Sequence, residues 1–190
     1  MSEEQAIHPE RALLIAWVKP LYLDLDGVSR FDEVERLSTI ARRLHRPAST
    51  GEALELDLLL LFSGLASWLS RVGNLSRTAL ALRGVVSEDD LRRLAARLKD
   101  PGEPATAAER AVAAARLVDR SGLRALLERL SRARREGSSL REILEDTLAM
   151  TEELPAWLPD QAAAWVASRQ ERTKSVCRAL LDELEHSDLR

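Results

Sequence analysis

Residues 56–69 read LDLLLLFSGLASWL, and this run decides the fold class. A helix at a protein surface carries one apolar stripe, whereas this stretch is apolar on nearly every side and must be buried among other helices. It is too short to span a bilayer, and Asp57 and Arg71 flank its apolar body. Just upstream, Ser49 is followed three places later by Glu52, the capping-box spacing that satisfies orphan amides at a helix start. One long central helix, from about Glu52 to Leu69, is therefore expected.

Helix signals continue outward in both directions. "PERALLIAWV" (9–18) opens on Pro9, which suits a first helical turn, and should end before Lys19-Pro20. "RFDEVERLSTIARRL" (30–44) places Phe31, Val34, Leu37, Ile40, Ala41 and Leu44 at three-and-four spacing, an amphipathic helix. Downstream, Ser87/Asp90, Thr106/Glu109 and Ser139/Glu142 repeat the capping-box pattern. "NLSRTALALRG" and "SEDDLRRLAARL" read as short helices. Residues 106–136 read as one long helix or as two joined near Ser121-Gly122. "SLREILEDTLAM", the Pro-bounded "ELPAWLPD" and a last helix from about Asp160 to His186 complete the chain. Strand signals hardly appear. The expected fold is all-α, a single domain of about eight helices around one core.

The composition agrees: 45% hydrophobic and 31% charged, with few aromatic residues, suits a helical globular chain of 190 residues. A net charge of -3 gives no general attraction to nucleic acid or to an anionic membrane, and neither is expected as a partner. The basic stretch "SRARREG" (131–137) reads as a solvated helix face. Only Lys19, Lys99 and Lys174 are lysines, so arginine carries almost all the positive charge. One cysteine, Cys177, excludes an internal disulfide and a cysteine-based zinc site, and its helical apolar neighbours suggest a buried, inert thiol. Glu3 and Glu4 stand where a basic leader would begin, so a cytoplasmic location without a secretory leader is expected.

Two stretches carry the look of phosphate chemistry. "LYLDLDGVSR" (21–30), with Asp24 and Asp26 before Gly27, resembles the nucleophile loop of haloacid-dehalogenase-type phosphatases. That chemistry requires the aspartates at the end of a parallel strand, and this chain offers almost no strands. The residues instead suit a turn between two helices.

The second pattern is spread over two thirds of the chain, in "EVERLSTIA", "LDLLLLFSGLASWL", "GNLSRTALAL", "RLAARLKDPGEP" and "ARLVDRSG". In order and spacing these resemble the helices of the HD-domain superfamily of metal-dependent phosphohydrolases, which carry "H-x-x-R-V", "LLxAALLHDIGK", "GHExxS", a further His and "ADxLDxxG". The resemblance implies an HD-like core at about 29–145 and a helical extension at 146–190. It also implies that the ligands are gone. Glu33 falls at the first histidine, Ser63-Gly64 replace the His-Asp pair, and Asn74 and Lys99 lie near two further histidines. At the final aspartate the register admits Arg116 or, with a short gap, Asp119. A two-metal hydrolase needs several imidazoles and carboxylates on its cations, which these residues do not supply. His8, His45 and His186 fall outside every motif position.

The resemblance therefore implies a degenerate HD-like protein with no catalytic residues, metal or cofactor. It would act through protein–protein contacts, as a homodimer or as a regulator of a partner, with Trp157 and Trp165 as candidate interface anchors. A second reading is a sensor for a nucleotide or other phosphate ligand in the vacated pocket, lined by Ser63, Ser67, Asn74, Arg116 and Lys99. A third is a phosphohydrolase rebuilt around Glu33, Asp119 and water.

Overall fold

The computed structural model describes residues 9–26, 31–150 and 153–187, with the backbone alone for 23–26, 134 and 187. Among them every regular element is an α-helix. In order these are α1 (Pro9–Asp26), α2 (Phe31–Leu44), α3 (Thr50–Leu61), α4 (Ala66–Leu69) and α5 (Asn74–Ala81). They continue with α6 (Glu88–Lys99), α7 (Ala107–Arg120), α8 (Leu123–Glu136), α9 (Leu140–Ala149) and α10 (Asp160–Ser187). The helices gather into two compact units, residues 1–113 and 114–190, with the division inside α7.

The ten described helices exceed the expected eight because two long segments are broken. The first break cuts the central run. α3 ends at Leu61, and after a turn at residues 62–65 the chain restarts as α4. Burial follows the sequence reading even so: Leu56, Leu59, Leu60, Leu61, Phe62, Leu65 and Leu69 are all buried. The second break falls at Ser121-Gly122, where Gly122 is extended (φ -102°, ψ -176°) and ends the helical hydrogen-bond ladder. The carbonyl of Val118 is then taken by two side chains, accepting from Ser121 Oγ at 2.8 Å and from Arg169 Nη1 on α10 at 3.0 Å. α8 closes at Gly137, whose φ of +85° is a left-handed conformation that glycine adopts without a Cβ penalty.

A further departure is that α1 does not stop at Lys19-Pro20 but runs through Pro20 to Asp26. An interior proline costs about 3 kcal/mol, through a lost hydrogen bond and a ring clash. The offset comes two residues later. Tyr22 is buried, its ring meets Phe31 edge-on at 5.7 Å, and its hydroxyl makes the bonds described below. Lys19 also sets its ammonium over the Phe31 ring at 5.1 Å. Asp24 and Asp26 thus have helical backbone instead of forming a turn, while their side chains and Gly27 lie outside the described residues.

In the first unit α3 packs against α1, α2 and α6, and α4 packs against α5 and α6. In the second, α10 packs against α8 and α9, over a core that includes Leu126, Leu144 and Cys177. Cys177 is fully buried, and desolvation pushes its thiol pKa up, as an inert thiol requires.

All four expected hydroxyl caps form, on Glu52, Asp90, Glu109 and Glu142 backbone amides. Asp90, Glu109 and Glu142 return the bond to the cap backbone, whereas Glu52 turns to the Ala48 amide and His45 Nε2. Glu109 is the most buried of these carboxylates. Desolvation raises its pKa, but the Thr106 and Ala105 amides and the Arg97 guanidinium outweigh that and hold it below the usual range. Bonds from Ser87 and Arg93 lower Asp90 in the same way.

Because these acids are depressed in the folded state, their contribution is fully present above the unfolded value of about 4.3 and is lost as pH falls through the folded values. Urea denaturation should show stability declining below about pH 4.5, and Glu109→Gln should be less stable at pH 7 with a flatter acid limb. An acid limb as steep as that of the natural chain would show that Glu109 makes no such contribution.

Candidate functional site

The break in the central helix holds Ser63 and Gly64, the two residues that the sequence resemblance would set at the His-Asp pair. A continuous helix would pair the Leu61 carbonyl with the Leu65 amide and the Leu60 carbonyl with the Gly64 amide. Here Leu65 donates to Phe62 O at 2.9 Å and Ser63 to Leu60 O at 3.3 Å. The two orphaned groups are met by one atom. Tyr22 Oη donates to Leu61 O at 2.8 Å and accepts from Gly64 N at 3.1 Å. The ring lies so close that a Cβ on Gly64 would sit 2.9 Å from Tyr22 Cε1, inside any ordinary contact.

The remaining candidates have separate local roles. Asn74 opens α5 and donates from Nδ2 to Trp68 O at 2.8 Å, closing the end of α4. Glu33 is exposed on α2, Ser67 is exposed on α4, and Lys99 is exposed in the last turn of α6, where a cation suits the helix dipole. In the second unit Arg116 and Asp119 are half-buried on α7. Burial pushes the Asp119 carboxyl above its usual range, with the Arg169 guanidinium opposing. Trp157, in the segment before α10, and Trp165, on α10, are each half-buried. Among the described residues no group of three His, Cys, Asp or Glu side chains is arranged to hold a metal ion. His45 pairs with Glu52 at 3.1 Å, His186 is exposed near the end of α10, and His8 lies outside the described residues.

The structure also assembles charge that sequence reading missed. Asp57, inside the apolar run, is buried and faces Arg11 of α1 at 3.2 Å and Arg42 of α2. Arg11 also donates to Ser38 Oγ at 3.2 Å. Arg97 of α6 pairs with Glu55 of α3 at 3.3 Å and with Glu109, and Thr106 Oγ1 donates to Glu55 at 3.0 Å. A carboxylate within an otherwise apolar run is the available signal for the first cluster, since it is retained in a core only with a partner.

Three of the depressions lined by described residues bear on these sites. One, of about 500 Å³, lies over Arg11, Ser38, Arg42 and Arg43. A groove of about 350 Å³ runs between α3 and α6, with Leu54, Leu58 and Leu94 in its walls and Arg97 at its rim. The third, of about 160 Å³, is in the second unit and is lined by Arg120, Ser121, Arg129, Thr147, Thr173 and Lys174 among others. None of Glu33, Ser63, Gly64, Ser67, Asn74, Lys99, Arg116 and Asp119 lines any of the three. Comparison of the chain with protein-family models, curated proteins and solved structures finds no match.

Two substitutions test the bridge. Tyr22→Phe removes one hydroxyl but strands a donor and an acceptor, and should cost about 1–3 kcal/mol in denaturant unfolding. Gly64→Ala would ordinarily gain roughly 0.5–1 kcal/mol of helix propensity, yet here it should destabilise, because the pinned ring cannot move aside. In the charged cluster, Asp57→Asn leaves two guanidinium groups without a counter-charge. The expected loss is roughly 2–3 kcal/mol, at the low end for a buried pair, because Arg11 and Arg42 keep 25% and 24% of their side-chain surface in water.

Proposed function

We propose that this chain is a non-catalytic, HD-like helical scaffold that acts through protein–protein contacts, pairing with a second copy or regulating a partner. The observation that carries this reading is the Tyr22 bridge. In the register of the sequence resemblance the metal-binding pair falls on a serine and a bare glycine, and the neighbouring backbone is committed to a tyrosine that holds the helix break together. Histidine and aspartate at these positions would add side chains to a site whose geometry depends on having almost none. The surface suits contact with another protein. Leu123 and Leu127 lie one turn apart on α8, Val176 and Leu180 one turn apart on α10, and all four are exposed. Trp157 and Trp165 add half-buried aromatic surface of the kind enriched at interface hot spots.

The test combines chemistry with assembly. Calorimetry with manganese or magnesium should show no tight site, nucleotide phosphates should not be hydrolysed, and light scattering should show a concentration-dependent dimer weakened by Leu127→Glu. Metal-dependent hydrolysis abolished by Glu33→Gln would replace this reading with a rebuilt phosphohydrolase.

A further inference from the structure

We propose that the cleft of the second unit, between α8, α9 and α10, is a binding site for a phosphate monoester dianion. The proposal does not rest on the scaffold reading, and the cleft contains none of the HD-equivalent residues.

The first argument is the sign of the lining. Arg120 at the end of α7, Arg129 on α8 and Lys174 on α10 bring three cations to one cavity, and no aspartate or glutamate lines it. Elsewhere this chain tends to pair its cations with nearby carboxylates: Arg92 with Glu88 and Asp89, Arg93 with Asp90, Arg97 with Glu55 and Glu109. Among the described residues Arg120, Arg129 and Lys174 have no ion-pair partner within 4 Å. Of the acids next to two of them, Glu128 bonds Arg124 at 2.8 Å, and Asp119 feels the charge of Arg169 first and of Arg120 after it. Arg129 directs Nη1 to the thioether sulfur of Met150, a weak acceptor that an anionic oxygen would displace.

The second argument is the polar floor. Ser121, Thr147 and Thr173 are buried, and each donates its only hydroxyl proton to a backbone carbonyl three or four residues earlier, at 2.8, 2.7 and 3.0 Å. They are left with lone pairs, so they accept but do not donate. A ligand matched to this cleft carries a concentrated negative charge for the cations and a hydroxyl for the floor, as a small phosphorylated alcohol does. The volume of about 160 Å³ suits a phosphate head with a short carbon chain beside Leu126 and Met150. Three cations favour a dianion over a single carboxylate, because each added charge is neutralised by a separate partner.

The experiment is a calorimetric titration of the full chain with inorganic phosphate, with glycerol phosphate and with acetate, at fixed ionic strength in chloride. Saturable binding of one phosphate per chain, tighter for glycerol phosphate and absent for acetate, is the expected result. Arg129→Gln and Lys174→Gln should each weaken it by about tenfold, the worth of one charge-assisted hydrogen bond. Arg120→Gln provides a third, independent removal, circular dichroism verifies each fold, and Arg83→Gln, exposed and outside the cleft, should bind as the natural chain does. Absence of saturable phosphate binding, equal affinity for acetate, or undiminished binding in the Arg129→Gln/Lys174→Gln double variant would each overturn the proposal.

Discussion

A single phenolic oxygen determines how the first unit can be built. The apolar run at 56–69 is buried, but it is not one rod: it bends at Ser63-Gly64, and the backbone groups exposed by the bend are satisfied by Tyr22 Oη. The Leu61 carbonyl is buried, and leaving such a group without a partner costs more than one hydrogen bond contributes. Three features follow from that requirement. α1 must remain helical past Pro20 to deliver the ring, Gly64 must lack a side chain to admit it, and α4 is free to leave the axis of α3 and pack against α5 and α6.

Electrostatics complements this with a second kind of joint. The first unit uses buried or half-buried carboxylates on α3 as hubs for arginines arriving from its neighbours. Asp57 gathers Arg11 and Arg42, and Glu55 joins Arg97 of α6 with Thr106 at the start of α7. Arginine suits this work better than lysine, since a planar fork can reach two acceptors with little further loss of freedom. The heavy use of arginine in this chain thus has a structural outlet. In the second unit the same residue serves a different end: Arg169 fills the role of a missing amide at the end of α7, while Arg120 and Arg129 border a cleft that, among the described residues, no carboxylate lines.

These two units therefore differ in what they offer to chemistry. At the helix break of the first, the freed backbone groups are consumed by the Tyr22 hydroxyl. In the second, three cations border a small cavity that no aspartate or glutamate lines among the described residues, which favours a ligand.

Local signals in the sequence were enough for the helical class, the hydroxyl caps at Ser49, Ser87, Thr106 and Ser139, the buried face of α2 and the burial of the leucine-rich centre. Each depends on interactions within a few residues, or on the plain cost of leaving leucine in water. The continuation of α1 through Pro20, the break at Ser63-Gly64 and the break at Ser121-Gly122 were decided by tertiary structure. α1 runs past Pro20 because its own Tyr22 is anchored at a distant segment, and the two breaks are met by side chains from other helices, Tyr22 in one unit and Arg169 in the other. The cationic cleft was hidden for the same reason. Arg120, Arg129 and Lys174 are far apart in sequence and individually resemble ordinary surface charges, and only the packing of α8 with α9 and α10 places them around one volume.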